Sequence, residues 1–87
     1  MTDGLPAPGD PPLAHRHLDA GQSACGELLA LLHIQMRALR EEQVLHLVGY
    51  DRGALQDIPA WCRMTGHRLL SLVDERPAHF YIQKRRR

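Results

Sequence analysis

The sequence predicts a two-layer α/β sandwich in which a four-stranded mixed sheet carries two helices on one face. Two segments with apolar residues at helical spacing alternate with short apolar runs bounded by turn residues. Two further short runs, separated by a tight connection, end the chain. The predicted order is therefore βαβαββ. Right-handed crossovers would place both helices on the same face, and the final hairpin makes the sheet mixed.

The predicted domain follows an arm rich in proline and glycine. Residues 1–12 contain four prolines and two glycines, which disfavour helix and strand formation, and they offer little apolar surface to bury. We therefore expect residues 1–12 to be disordered and residues 13–87 to fold as one domain. Within that domain His15–Ala20 is typical of a short strand, and Gly21–Ala24 supplies small and polar residues for a turn.

An amphipathic helix is predicted from Cys25 to Arg40, because its apolar residues fall on one face of a helical wheel. These residues are Leu28, Leu31, Leu32, Met36 and Leu39. The next run, Val44–Tyr50, is aliphatic with one aromatic residue and is short. This pattern favours a central strand.

The second helix is predicted to begin between Gly53 and Asp57 and to stop at Gly66. Its apolar residues again recur at helical spacing, and glycine is a common residue just after a helix. Proline is tolerated in the first turn of a helix, where its missing amide is not needed. We therefore expect Pro59 to lie close to the helix start.

The chain ends in a predicted hairpin and a basic tail. Arg68–Asp74 and His79–Lys84 are typical of strands, and Glu75–Pro77 forms the connection between them. Lys84–Arg87 supplies four positive charges in a chain whose net charge is +1. Such a tail attracts anions generally, but an aromatic content of 5% offers few rings for stacking on bases. The composition argues against direct nucleic-acid binding.

The composition indicates a single cytoplasmic domain. The chain has 87 residues, of which 44% are hydrophobic and 24% charged, as in ordinary globular proteins. No apolar run approaches the roughly 20 residues that a membrane-spanning helix needs, and the N-terminus does not resemble a signal peptide. Two cysteines do not make a disulfide framework, so both are expected to be thiols.

Cys25 is the candidate reactive residue. It falls in the first turn of the predicted first helix, where unpaired amide groups and the positive end of the helix dipole stabilise a thiolate. Glu27 in the same turn opposes this effect. From the residues alone two interpretations stay open for Cys25: a nucleophilic thiol, or a small core residue beside the leucine face.

Cys62 and the histidines are interpreted as structural. Cys62 lies on the apolar face of the second helix with Leu55 and Ile58, so we expect it to pack in the core. His46 lies in an otherwise aliphatic strand and is interpreted as an interior or sheet-face residue. The two cysteines lie far apart and the six histidines are scattered, unlike the short spacings of metal sites. We therefore predict no metal site.

Two stretches resemble the TusA/SirA family of sulfur carriers. His17–Ala20, followed by Cys25 and Gly26, is similar to the family's opening, in which a Leu-Asp strand precedes a Cys-Pro-x-Pro helix start. Asp57–Cys62, followed by Gly66-His67, resembles the family's Asp-Ile-Pro-x-aromatic segment. The resemblance covers about residue 17 to residue 84 and agrees with the βαβαββ order.

The resemblance implies sulfur relay on Cys25. A cysteine desulfurase or a rhodanese-like donor would place sulfane sulfur on this cysteine, and an acceptor protein would receive it, without a prosthetic group. Family members serve tRNA thiolation, sulfur oxidation or cofactor assembly. The motif here reads Cys-Gly-Glu-Leu, with Gly26 and Leu28 in place of the two prolines. The alternative is an interaction or regulatory module that keeps the fold without sulfur transfer.

Overall fold

The computed structural model describes residues 12–22 and 25–86, with the side chain of Cys25 outside the description. The predicted disordered arm lies outside the described residues except for Pro12, as do Ser23, Ala24 and Arg87. The described residues form β1 (Arg16–Asp19), α1 (Cys25–Ala38), β2 (Val44–Gly49), α2 (Ala54–Thr65), β3 (Arg68–Val73) and β4 (Ala78–Gln83). The predicted βαβαββ order is confirmed.

The four strands form one mixed sheet in the spatial order β1-β2-β4-β3. β1 runs parallel to β2, and β4 is antiparallel to both β2 and β3. The ladder continues beyond β1, because His15 N donates to Val44 O and Ala20 N donates to Val48 O. The parallel pair follows from the α1 crossover, and the hairpin supplies the antiparallel strands.

The core lies between the helices and one face of the sheet. Side chains alternate along a strand, so Leu45 and Leu47 of β2 share a face with Phe80 and Ile82 of β4, and all four are fully buried. The helices contribute buried residues at helical spacing to the same apolar cluster: Leu28, Leu32, Met36, Leu39, Ala54, Ile58, Trp61 and Cys62. The predicted two-layer sandwich is confirmed.

The first helix is shorter at its C-terminus than predicted. α1 ends at Ala38, two residues before Arg40. Leu39 O accepts a 2.6 Å hydrogen bond from Lys84 Nζ, and Arg40 N donates to the side-chain oxygen of Gln43. Side chains from other parts of the chain thus satisfy polar groups that another helical turn would have used.

The second helix begins at Ala54, within the predicted range, but the expected position of Pro59 is wrong. Pro59 is the sixth residue of α2 and lies in its second turn. Proline has no amide hydrogen, so the backbone bond to Leu55 O cannot form. Ile58 and Trp61, on either side of Pro59, are buried, and their packing keeps the segment helical although this hydrogen bond is missing. The helix ends as predicted at Gly66, whose φ of 84° is left-handed.

No helix among the described residues is long and apolar enough to cross a membrane.

Candidate functional site

A tight turn carries the chain from β1 towards α1. Asp19 ends β1, and its Oδ1 accepts a 2.9 Å hydrogen bond from Gly21 N. Gly21 has a φ of 57°, in the left-handed region that glycine adopts without strain. Ala20 is buried, with 6% of its surface exposed. The hydrogen bond to Asp19 and the burial of Ala20 therefore fix the start of the turn at the carboxyl end of β1.

Cys25 is the first residue of α1. The first amide groups of a helix have no partner within it, and the aligned peptide dipoles leave a partial positive charge at this end. Both effects favour an anion such as a thiolate near Cys25. Glu27 in the same turn carries a negative charge and acts in the opposite sense. The side chain of Cys25 lies outside the described part of the chain.

Gly26 and Leu28 stand after Cys25 at the two positions where the family resemblance implies proline. Leu28 is completely buried in the core cluster, so it anchors the first turn through apolar packing. Gly26 is exposed, and a Cβ added to it would meet nothing within 4 Å. The start of α1 is therefore held from the core side and open on the side of Gly26.

Cys62 has a contrasting environment. It lies on the buried face of α2 with 3% of its surface exposed, which confirms the predicted packing role. Burial raises the pKa of the Cys62 thiol to about 11, although the neighbouring Arg63 acts to lower it. Because the thiolate is the nucleophilic form, this raised pKa disfavours nucleophilic reaction of Cys62 at neutral pH.

The second segment that resembles the family lies in α2 and beside its end. Ile58 and Trp61 are buried in the core cluster, as expected for apolar positions of this helix. The Trp61 ring stacks on His67, with ring centroids 5.3 Å apart. Burial lowers the pKa of His67, and the charges of Arg85 and Lys84 lower it further. This segment stabilises the fold. It belongs to α2 and the residues just after it, whereas Cys25 begins α1.

A row of three histidines crosses the sheet on the face away from the helices. His17 Nδ1 lies 2.9 Å from His46 Nδ1, and His46 Nε2 lies 2.9 Å from His79 Nδ1. The three residues come from β1, β2 and β4, and the ring of Tyr81 stacks on His46. Burial lowers the pKa of His46, and the neighbouring His17 and His79 lower it further.

The sequence indicated an interior or sheet-face position for His46 but not its two partners. Each histidine alternates with residues that face the core, and this alternation is visible in the sequence. The strand order that places β2 between β1 and β4 is not, because a hairpin could equally have paired with the other edge. The three histidines are therefore seen to be neighbours only once the strand order is known.

The histidine row is a hydrogen-bonded chain rather than a metal centre. His46 faces each neighbour with a different ring nitrogen, so one ion could not be bound by all three residues. Within the described ranges, no group of three or more histidine, cysteine, aspartate or glutamate residues is arranged to hold a metal ion.

Comparison with known proteins identifies similar chains. The family model described as Sulfurtransferase TusA matches residues 16–84. Sulfur carrier protein TusA of Pseudomonas putida (strain W619) is 33% identical over 64 residues, which cover 74% of this chain and 80% of that protein. Putative sulfur carrier protein YrkI of Bacillus subtilis (strain 168) is 37% identical over 68 residues, which cover 77% and 91% of the two chains. The matched range contains all the strands and helices described above, and it includes Cys25.

Proposed function

Because the chain belongs to the TusA sulfurtransferase family, we propose that it is a sulfur carrier that holds sulfane sulfur as a persulfide on Cys25. The position of Cys25 as the first residue of α1 carries this proposal. Cys62 is the other cysteine of the chain, and its buried thiol with a pKa of about 11 is unsuited to the task.

The proposed transfer is a thiol exchange on sulfur. The Cys25 thiolate attacks the outer sulfur of a donor persulfide, so a sulfur–sulfur bond forms at Cys25 while the donor's sulfur–sulfur bond breaks. The donor leaves as a thiol after taking the proton of the transferred sulfur. An acceptor thiolate then attacks the outer sulfur on Cys25 and releases the Cys25 thiolate. Neither step requires an external oxidant or reductant.

The helix terminus supports both anionic forms of the site. The thiolate that attacks and the persulfide anion that results each carry negative charge near the amide groups at the start of α1. A charge at a helix end gains typically 0.3 to 1 kcal/mol from the dipole when it is exposed. Glu27 reduces that gain, so we expect a modest rather than an extreme activation of Cys25.

The partners in this proposal are proteins. The donor is a cysteine desulfurase or a rhodanese-like protein, and the acceptor is a protein thiol. Both would approach the start of α1, where the exposed Gly26 leaves one side of the first turn open. The acceptor could belong to tRNA thiolation, sulfur oxidation or cofactor assembly.

A second candidate is an interaction module without sulfur transfer. The observation that favours it is the replacement of both motif prolines, with Leu28 fully buried as a core residue. Under this alternative the first turn of α1 is retained for packing, and Cys25 carries no sulfur.

Intact mass spectrometry separates the two candidates. The protein is incubated with a cysteine desulfurase and cysteine, and we expect a mass gain of one sulfur atom that a reducing agent reverses. Cys25→Ser should abolish the gain, and the matched control Cys62→Ala should retain it. The carrier proposal fails if the wild-type protein gains no sulfur, or if the sulfur maps to Cys62.

A further inference from the structure

A cavity of about 340 Å³ opens between the C-terminal halves of the two helices and the segment after β4. Its lining is strongly basic and includes no acidic side chain among the described residues. The basic residues of the lining are His33, Arg37, His67, Lys84 and Arg85. The cavity lies far from the start of α1, since Arg37 is roughly 18 Å from Cys25 along the helix axis at 1.5 Å per residue.

Two of the three permanent charges in the cavity also stabilise helix ends. Lys84 Nζ donates to Leu39 O, and Arg85 Nη1 donates to Thr65 O at 3.1 Å. The C-terminus of a helix carries roughly half a negative charge, so the two ends together offset about one positive charge. With Arg37 included, the lining retains about two positive charges.

Arg37 is the cation of the lining whose side chain has no hydrogen-bond or ion-pair partner among the described residues. Its side chain is exposed and makes no hydrogen bond or ion pair within the described residues, whereas its backbone oxygen accepts from Lys84 Nζ. His33, one helical turn before Arg37, likewise has no side-chain hydrogen bond in this part of the chain. Both face a cavity that Lys84 and Arg85 already make electropositive.

We propose that this cavity binds a small phosphate-bearing molecule. The guanidinium of Arg37, together with Lys84 and Arg85, can donate hydrogen bonds to the oxygens of a phosphate, which accept several such bonds at once. Met36 and Met64 provide an apolar wall for the remainder of the ligand, in the manner of small-molecule sites that combine apolar surface with a few polar groups.

The dimensions favour a small ligand over a macromolecule. A volume of about 340 Å³ lies at the lower end of the range for small-molecule pockets. A nucleic-acid surface would need a longer basic track together with rings for stacking, and the lining has no phenylalanine, tyrosine or tryptophan. The proposal does not depend on sulfur transfer, because none of its residues belongs to the first turn of α1.

Titration calorimetry with inorganic pyrophosphate, AMP and adenosine tests the proposal at physiological ionic strength. We expect pyrophosphate and AMP to bind and adenosine not to bind. Arg37→Gln should weaken binding about tenfold, as expected for the loss of one hydrogen bond between charged groups. The matched control is Arg76→Gln, which removes an exposed arginine from the β3–β4 connection outside the cavity.

An NMR titration of the His67 ring gives a second measurement on the wild-type protein. A bound phosphate would favour the protonated imidazole, so we expect pyrophosphate to raise the pKa of His67, which burial and then the cations of the cavity lower in the unbound protein. The proposal is overturned if pyrophosphate does not bind, if adenosine binds as well as AMP, or if Arg76→Gln weakens binding as much as Arg37→Gln. It is also overturned if an RNA oligomer binds and pyrophosphate does not displace it.

Discussion

At the scale of single residues, the two cysteines differ in the form of sulfur that their surroundings favour. Cys62 is surrounded by apolar side chains, and this burial favours the neutral thiol. Cys25 begins a helix, where the dipole favours the anion. The difference in position alone predicts a difference in reactivity.

We expect an alkylating reagent in limiting amount to label Cys25 faster than Cys62 in the folded protein. Labelling consumes the thiolate, and the thiolate fraction of Cys62 is small at neutral pH because its pKa is about 11. Peptide mapping after short reaction times measures both rates. In denaturant the two rates should converge, which serves as the control. Equal rates in the folded state would contradict the assignment of Cys25.

The burial of Cys62 also sets the cost of replacing it. Cys62→Ser should lower the free energy of unfolding by about 1 kcal/mol or more, because a hydroxyl is then buried in an apolar cluster. Sulfur loading of Cys25 should persist. Denaturant unfolding measures the change, and Cys62→Ala is the control for loss of the sulfur atom without a new polar group. A fully stable Cys62→Ser protein that no longer loads sulfur would reverse the roles of the two cysteines.

At the scale of helices and strands, local patterning predicted most of the structure. The leucine spacing of α1 and the short aliphatic run of β2 each placed the element within a few residues of its observed bounds. The end of α1 differed because Lys84, far away in the sequence, donates to Leu39 O. Helix ends decided by such long-range contacts are not encoded in the local pattern.

The glycines at the start of α1 and at the end of α2 should respond in opposite ways to alanine. Gly26 has room for a Cβ and lies within a helix, so Gly26→Ala should raise the free energy of unfolding by about 0.5 to 1 kcal/mol. Gly66 has a φ of 84°, so Gly66→Ala should lower it by about 1 kcal/mol through backbone strain. Thermal melting compares both variants with the wild-type protein. Destabilisation by Gly26→Ala would show that the first turn of α1 requires glycine.

At the scale of the whole molecule, the strand order creates features that the sequence does not show. The basic cavity needs the ends of α1, α2 and β4 to meet, and the histidine row needs β2 between β1 and β4. The position of Cys25 at the start of a helix could be predicted from the sequence, because its neighbours along the chain define that position. The cavity and the row could not, since their members are brought together only by tertiary structure.

The histidine row should make the stability of the fold depend on pH. The pKa of His46 is lowered from an ordinary value of 6.5, first by burial and then by His17 and His79. The unfolded chain therefore binds more protons than the folded chain as the pH falls below about 6.5, so the free energy of unfolding should decrease in that range. Denaturant unfolding across this range measures the effect. His67 contributes with the same sign.

A matched variant isolates the contribution of His46. His46→Gln retains one donor and one acceptor but does not titrate, so the loss of stability below pH 6.5 should be smaller than in the wild-type protein. Exposed His33→Gln is the control for removing a histidine outside the row, and it should alter the pH dependence less than His46→Gln does, because His33 is the smallest of the causes that lower the pKa of His67. An unchanged pH dependence in His46→Gln would contradict the assigned role of the row.

The same row also limits how many protons this face of the sheet can hold. Each of its two nitrogen–nitrogen contacts accommodates one hydrogen, and the outer ring nitrogens of His17 and His79 accommodate one each. Three hydrogens leave all three rings neutral, and a fourth gives a single positive charge that the intact chain shares. A fifth hydrogen has no position that preserves both contacts. A second positive charge on the row must therefore break the contact between His46 and one of its neighbours. The charge of this face thus determines whether the histidine side chains of adjacent strands stay hydrogen-bonded to each other.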